Sequence, residues 1–401
     1  MKQANYKVVG VMSGTSLDGL DLAFCEFHLE NSRWSYQLSI AETVEYPDVL
    51  RSRLKNAVNF SGLELALLNS DYGHFLGQEI QKFIEKNQLE VDLVSVHGHT
   101  IFHQPEKQLT LQIGDGAAIA SYVKCPVVTQ FRNIDVALGG QGAPLVPIGD
   151  KLLFDTTDFC LNLGGIANIS FTENSKTIAF DICVCNMALN YLVSFIRRGV
   201  SHTSSPSIVA NANEGVCDTH LQYDKNGEIA KSGTLNSELL TKLNDLDFHN
   251  KQPPKSLGFE WFENNFLPIL DTFECPVEDK LHTVCEHIAE QVSKIVNELV
   301  GAGFARPACY GGMQGGRTPP LREKNMLVTG GGAKNDFLMS RIKHHCLCEF
   351  QESNPLIVDF KEALIFAFLG VLRLRQETNC LSDVTGATHD NIGGCVYLGN
   401  L

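Results

Sequence analysis

Six residues near the N-terminus, Gly14-Thr15-Ser16-Leu17-Asp18-Gly19, combine two glycines that let backbone amides approach a ligand with two hydroxyls that can donate to phosphate oxygens. Leu20 and Asp21 continue the segment. The combination suits the terminal phosphates of ATP, although a plain β-hairpin turn has the same composition. It lacks the Gly-Lys-Ser/Thr ending of a Walker loop and the Gly-x-Gly-x-x-Gly spacing of a dinucleotide turn. A second glycine site, Gly330-Gly331-Gly332-Ala333-Lys334-Asn335, follows a short apolar run. Missing side chains there leave room for a base or ribose, and the competing use is a strand-to-helix turn that needs positive φ.

Asp181 closes the apolar run Thr177-Ile178-Ala179-Phe180. A carboxylate at a strand end can take a proton from an attacking hydroxyl or water while magnesium neutralises the charge of ATP. The same residue could instead cap a helix starting near Asn186. Asp18 and Asp21 could face the magnesium through water, so no side chain is assigned as a direct metal ligand. His97, His99 and His103 form the densest histidine group, but without an acidic or cysteine neighbour they read better as sugar-hydroxyl contacts or loop packing than as a metal site. Arg132 and Asp135 could hold a ligand carboxylate and hydroxyl, or pair with each other. His97, Arg132 and Asp135 are the substrate-binding candidates.

These residues need a scaffold of short strands. Val8 to Met12 reads as a buried strand and Leu20 to Phe27 as its antiparallel return, which makes the first glycine segment a hairpin loop. Leu63 to Lys86 has helical spacing, and Leu93 to Val96 then reads as a parallel strand. Pro126 to Thr129 is a further strand, followed by the loop Gly139 to Pro144. Beyond a boundary placed near residue 150, two strands flank Gly164-Gly165, and Gly165 joins the ATP-binding candidates. A polar insertion is expected from Gly199 to Lys251, a long helix from Leu281 to Val300, a strand at Met326 to Thr329 and a helix from Asp336 to His344. The fold class is α/β in two lobes, 1–150 and 151–401, each opening with a glycine-turn hairpin.

The chain has 401 residues, enough for two lobes, and its hydrophobic share of 44% against 19% charged residues demands a large core. A net charge of -14 argues against binding nucleic acid or an anionic membrane surface through a general basic face. No apolar run approaches a spanning length and the first residues lack a secretory apolar region, so the cytoplasm is the expected location. The 13 cysteines are scattered, which suits reduced buried thiols. The single-residue gaps of Cys183/Cys185 and Cys346/Cys348 do not match a structural zinc site.

Taken in order, Val11-Met12-Ser13-Gly14-Thr15-Ser16-Leu17-Asp18-Gly19-Leu20-Asp21, Val96-His97-Gly98-His99-Thr100, Leu111-Gln112-Ile113-Gly114-Asp115, Gly139-Gly140-Gln141-Gly142-Ala143-Pro144-Leu145, Asn162 to Asn168, Pro253-Pro254-Lys255-Ser256 and Val328 to Asn335 closely resemble the anhydro-N-acetylmuramic acid kinases. The resemblance runs from about residue 8 to Gly394. It implies the two-lobed fold of actin, hexokinase and the heat-shock chaperone ATPases, with ATP in an interlobe cleft, and relatives suggest a homodimer. It also implies that a water deprotonated by Asp181 opens the anhydro bridge of an amino sugar while the freed 6-oxygen takes the γ-phosphoryl group. The products would be N-acetylmuramic acid 6-phosphate and ADP, in cell-wall recycling. One stretch departs from the pattern. Where the family usually has Phe-Asp-Thr-Gly-Pro-Gly-Asn, this chain has Phe180-Asp181-Ile182-Cys183-Val184-Cys185-Asn186. A branch of the family resembles it there and at Lys361-Glu362-Ala363-Leu364. The lost glycines should hold the turn away from phosphate, unless its geometry never needed positive φ.

Overall fold

The computed structural model describes residues 4–14, 17–197, 223–302 and 324–400. The chain forms two compact units, one of Met1–Thr156, Phe171–Ile178 and Asn354–Leu401, the other of Thr157–Ser170 and Ala179–Ser353.

In the first unit a six-stranded sheet runs in the order Cys395–Tyr397, Val127–Thr129, Leu93–Val96, Asn5–Ser13, Leu20–Glu30, Arg33–Val44. Asn5–Ser13 pairs antiparallel with Leu20–Glu30, Ser13 opposite Leu20, so the Gly14–Gly19 segment closes a hairpin. On its other side the same strand pairs parallel with Leu93–Val96, which pairs parallel with Val127–Thr129. The mixed order places loops that follow parallel strands at one edge, where ligands bind in α/β sheets.

Helix Gly62–Lys86 starts on a complete capping box between Ser61 and Glu64 and buries Leu68, Tyr72, Leu76, Ile80 and Phe83, a stripe at helical spacing, into the core around Val9, Leu22 and Val94. A second helix, Pro355–Arg375, is buried on nearly every face, as an all-round apolar sequence requires. It lies so close to the first strand that a Cβ on Gly10 would stand 2.1 Å from the Ala363 carbonyl oxygen.

The second unit carries most of a five-stranded sheet ordered Lys176–Val184, Ile166–Glu173, Phe159–Leu163, Asn325–Thr329, Glu349–Phe350, the last three mutually parallel. Helix Val277–Ala302 buries Leu281, Val284, Ile288, Val292 and Val296 and packs against helices Asn186–Arg197, Glu228–Ser232, Ser237–Asn244 and Asp336–His345. Part of the expected polar insertion lies outside the described residues. The remainder includes helices Glu228–Ser232 and Ser237–Asn244.

Two expectations change. The first unit ends at Thr156 rather than 150, and residues 354–401, counted with the second lobe, pack with the first because their long helix covers the first strand. The stretch after Asp181 is not a turn. Its strand runs on to Val184, Ile182 to Cys185 are buried, and none of them has positive φ. Glycine has no conformational advantage there, so cysteines at 183 and 185 in its place, with Ile182 before them and Val184 between them, suit a buried edge strand.

Candidate functional site

The first glycine loop sits on a buried polar base. Ser13, the last residue of its strand, contacts His99 Nδ1 at 3.0 Å and accepts a hydrogen bond from the Tyr46 hydroxyl at 2.8 Å, and Tyr46 meets Tyr72 at 3.1 Å. Burial pushes His99 down to about 4, so it serves this base as a neutral ring. Thr15 and Ser16 lie outside the described residues. Leu17 has φ 59 and its N–H donates to the Gly14 carbonyl, closing the turn. Gly19 is required by proximity, since a Cβ there would stand 2.4 Å from Thr43 Cγ2. Leu20 is fully buried in the core, so only its backbone can serve a ligand.

Asp21 accepts the Thr43 hydroxyl at 2.6 Å. Burial raises its pKa to about 6, opposed by Thr43 and reinforced by the charges of Glu362, Asp359 and Asp18. This acidic neighbourhood holds mutual repulsion that a hydrated divalent cation would relieve. Among the described residues no three His, Cys, Asp or Glu side chains converge to hold an ion directly.

Arg132, His97 and Asp135 form one chain of contacts, with different roles from those expected of three ligand contacts. His97 Nδ1 lies 2.8 Å from the Gly98 carbonyl and must carry the proton, leaving Nε2 to accept from Arg132 Nε at 3.1 Å and Nη2 at 2.8 Å. Arg132 Nη1 donates to the Gly142 carbonyl at 2.7 Å. Burial pushes the guanidinium down to about 10, while Glu362 opposes the shift. Two of its five N–H groups have no acceptor among the described residues. His97 is lowered by burial and then by Arg132, which keeps it neutral and committed to that cation.

Asp135 does not pair with Arg132 and does not reach the surface. It is fully buried; Oδ2 accepts the Gly142 N–H at 2.7 Å, and Oδ1 accepts Thr385 at 2.8 Å, Asn391 at 2.8 Å and the Cys380 thiol at 3.0 Å. It fixes the Gly139–Pro144 loop whose carbonyl holds Arg132. His103 contacts Thr110, and burial lowers its pKa, reinforced by the Arg132 charge.

In the second unit Asp181 is inside its strand, five residues before the helix Asn186–Arg197, which excludes the capping alternative. Its carboxylate Oδ2 accepts the Leu257 N–H at 2.8 Å and its own N–H donates to the Lys255 carbonyl at 3.1 Å. Burial raises its pKa to about 6, against the Leu257 N–H and the Lys255 charge. A carboxylate with that proton affinity, its second oxygen free of donors among the described residues, is suited to general-base work near neutral pH.

The two glycine turns of this unit meet at Asn186. Gly164 and Gly165 accept the N–H groups of Asn186 and of Cys185 and Met187, while Asn186 Nδ2 donates to the Leu163 carbonyl at 2.8 Å. Gly330 has φ 86, and a Cβ there would stand 2.6 Å from Asn162 Oδ1 and 2.8 Å from the Leu163 carbonyl oxygen. Gly331 and Gly165 are exposed and unobstructed, so a flat group can approach them. Asn335 caps helix Asp336–His345 through the Leu338 N–H at 2.9 Å, and its side chain is buried in that duty.

Sequence reasoning missed Glu362 as a site residue. It keeps solvent access on the otherwise buried C-terminal helix, yet the protein around it raises its carboxyl, with Arg132 and Lys361 opposing. A charged pair, Lys361-Glu362, inside an apolar helix was the available signal. Lys361 is sequestered on Asp150 at 2.7 Å, so Glu362 is the member turned to solvent.

Glycine turns at strand ends in both units, with a carboxylate of raised proton affinity on an edge strand, suit an α/β phosphotransferase. The chain belongs to the anhydro-N-acetylmuramic acid kinase family, whose sequence model, described as Anhydro-N-acetylmuramic acid kinase, matches residues 6–202 and 215–399. It is 30% identical to the protein of that name from Sulfurimonas denitrificans, over 97% of this chain and 98% of that one. It is 32% identical to the one from Pasteurella multocida, over 99% and 98%, and 32% identical to the one from Vibrio cholerae, over 97% of each. Solved structures resemble it more loosely. The activator of the 2-hydroxyisocaproyl-CoA dehydratase from Clostridium difficile with bound ADPNP has a TM-score of 0.39 at 12% identity, covering 92% of this chain and 96% of that one. A hexokinase from Schistosoma mansoni complexed with glucose has a TM-score of 0.37 at 10% identity, covering 87% and 81%. Those likenesses are too slight to bear on the site. Among the described residues no helix is long and apolar enough to cross a membrane.

Proposed function

We propose that this chain converts 1,6-anhydro-N-acetylmuramic acid, ATP and water to N-acetylmuramic acid 6-phosphate and ADP, a step in recycling cell-wall sugar in the cytoplasm. The observation that carries the reading is Asp181, a carboxylate held by the Leu257 N–H with its pKa raised to about 6, within a chain matched to the family over nearly its whole length. Asp181 takes a proton from water as the water oxygen attacks the anomeric carbon. The bond from that carbon to the 6-oxygen breaks, and the 6-oxygen attacks the γ-phosphorus, releasing ADP.

The Gly14–Gly19 loop and the Gly330 turn are the ATP-handling segments, with Gly165 beside the latter. Arg132, with two N–H groups to spare, suits the lactyl carboxylate that distinguishes muramic acid. Asp18 and Asp21 would hold hydrated magnesium, whose charge screens the phosphates when bound. A homodimer, suggested by the family resemblance, is the proposed assembly. The test is ADP release with 1,6-anhydro-N-acetylmuramic acid beside N-acetylglucosamine and N-acetylmuramic acid, run in heavy-oxygen water. Label at the anomeric position of the phosphorylated product is expected only from the anhydrosugar; an unlabelled product would rule the coupled reaction out.

A further inference from the structure

The Asp181 strand is an edge strand, and residues 255–257 lie along it as a strap. The Lys255 carbonyl accepts the Asp181 N–H and the Leu257 N–H holds its carboxylate, so the strap grips backbone and side chain of the same residue. The strap starts from a buried anchor, Phe248 and His249. The Lys255 ammonium returns to that anchor, over the Phe248 ring at 4.8 Å, over the Phe180 ring at 5.9 Å and 3.4 Å from the Phe248 carbonyl oxygen. Aromatic faces and a carbonyl can park a cation without neutralising it.

No carboxylate forms an ion pair with this ammonium among the described residues, so its charge remains available to its surroundings. The charged and titratable groups around it are Cys183 and Asp181 on the strand, Lys294 and Glu298 on helix Val277–Ala302, and His249 in the anchor. Burial raises Cys183 and lowers His249, so both are neutral near pH 7, and Lys294 opposes Glu298. Asp181 is thus the titrating group that Lys255 acts on.

We propose that Lys255 is a positioning residue for the general base: its backbone fixes Asp181 at the sheet edge, and its parked ammonium keeps the Asp181 carboxylate charged under working conditions. This rests on Asp181 being the base. The lowering of Asp181 by Lys255, smaller than the effect of burial, has the sign the geometry requires.

The test is the pH dependence of kcat at saturating ATP and 1,6-anhydro-N-acetylmuramic acid for the wild type, Lys255→Gln, Lys255→Arg and Asp181→Asn. In Lys255→Gln the acid limb moves up by roughly one pH unit, so that at about pH 6 the variant retains about a tenth of its own plateau where the wild type retains about half, a relative loss of about fivefold. Lys255→Arg keeps the limb at the wild-type position. A strap that acted only as a brace would lower the plateau and leave the limb in place, so an unmoved limb in Lys255→Gln, with Asp181→Asn inactive, overturns the role of Lys255 alone. Turnover retained by Asp181→Asn overturns the assignment beneath it. Should Lys255→Gln not fold, Lys255→Arg decides: a limb displaced upward despite the retained charge refutes the electrostatic role.

Discussion

Replacing Asp135 with Asn changes one atom at the most heavily committed carboxylate described. Oδ1 serves three donors, Thr385, Asn391 and Cys380, while Oδ2 serves the Gly142 N–H alone. The amide therefore turns its oxygen to the three and its NH2 to Gly142, setting donor against donor. One hydrogen bond to a charged acceptor is lost, about 1.5 to 3 kcal/mol, and a buried N–H is left unsatisfied, about 1 to 3 kcal/mol more. With no exposure for water to repair the site, the expected loss of stability is about 3 to 5 kcal/mol. The displaced Gly142 carbonyl also withdraws a partner from Arg132, so the KM for the sugar should rise several-fold. The two tryptophans lie in different units, Trp34 in the first and Trp261 in the second. Urea unfolding followed by Trp34 fluorescence in a Trp261→Phe background reads the first unit. A loss below about 1 kcal/mol with an unchanged KM would show that this network neither bears the loop nor sets Arg132.

Asp181→Asn should lower turnover about a thousandfold while ATP affinity, measured by calorimetry, stays within about twofold. It should also be more stable than the wild type at neutral pH. The folded pKa is raised from 3.8 to about 6, so wild-type stability from this group is full below about 4 and is lost as pH rises through about 6. Two units correspond to about 3 kcal/mol, reduced by partial solvent access to about 1 to 2. Melting curves at both ends of that window check the sign, and an Asn variant less stable at neutral pH refutes it. Gly330→Ala must adopt φ 86 and place a Cβ against the Leu163 carbonyl; a loss of about 1 to 3 kcal/mol in stability and weaker nucleotide binding by filter assay are expected.

Local pattern was enough for the hairpin around Gly14–Gly19, the helix Gly62–Lys86 and the strand before Gly330, because side-chain period and glycine position act within a few residues. Asp135 could not be read this way. Three of its partners lie about 250 residues away, at Cys380, Thr385 and Asn391, and nothing near Arg132-Asn133-Ile134-Asp135 distinguishes a ligand contact from a buried anchor. The side chains of Leu20, buried in the core, and Asn335, committed to a helix cap, were hidden for a related reason: proximity to a glycine loop in sequence says nothing about which way a side chain turns. The Ile182–Cys185 stretch looked like a damaged turn when set beside a glycine-bearing pattern, whereas its own residues, apolar and partly β-branched, read as the strand they form. The strap on Asp181 required a pairing across some 75 residues, which a lone sequence does not display.

The covering of the first strand by helix Pro355–Arg375 bears on how the chain is made. A ribosome releases the sheet strands of the first unit early but supplies the helix that closes over Gly10 only after about 200 further residues, a delay of roughly 10 to 40 s at ordinary rates of synthesis. Through that interval the face around Gly10 and Phe27, which meets Ala363, Ala367 and Phe368 in the folded chain, waits without its cover, and the second unit, emerging whole in between, can mature first. A nascent chain stalled before Asn354 should accordingly display a protease-sensitive first unit, and truncations at the C-terminus should cost the N-terminal sheet its integrity.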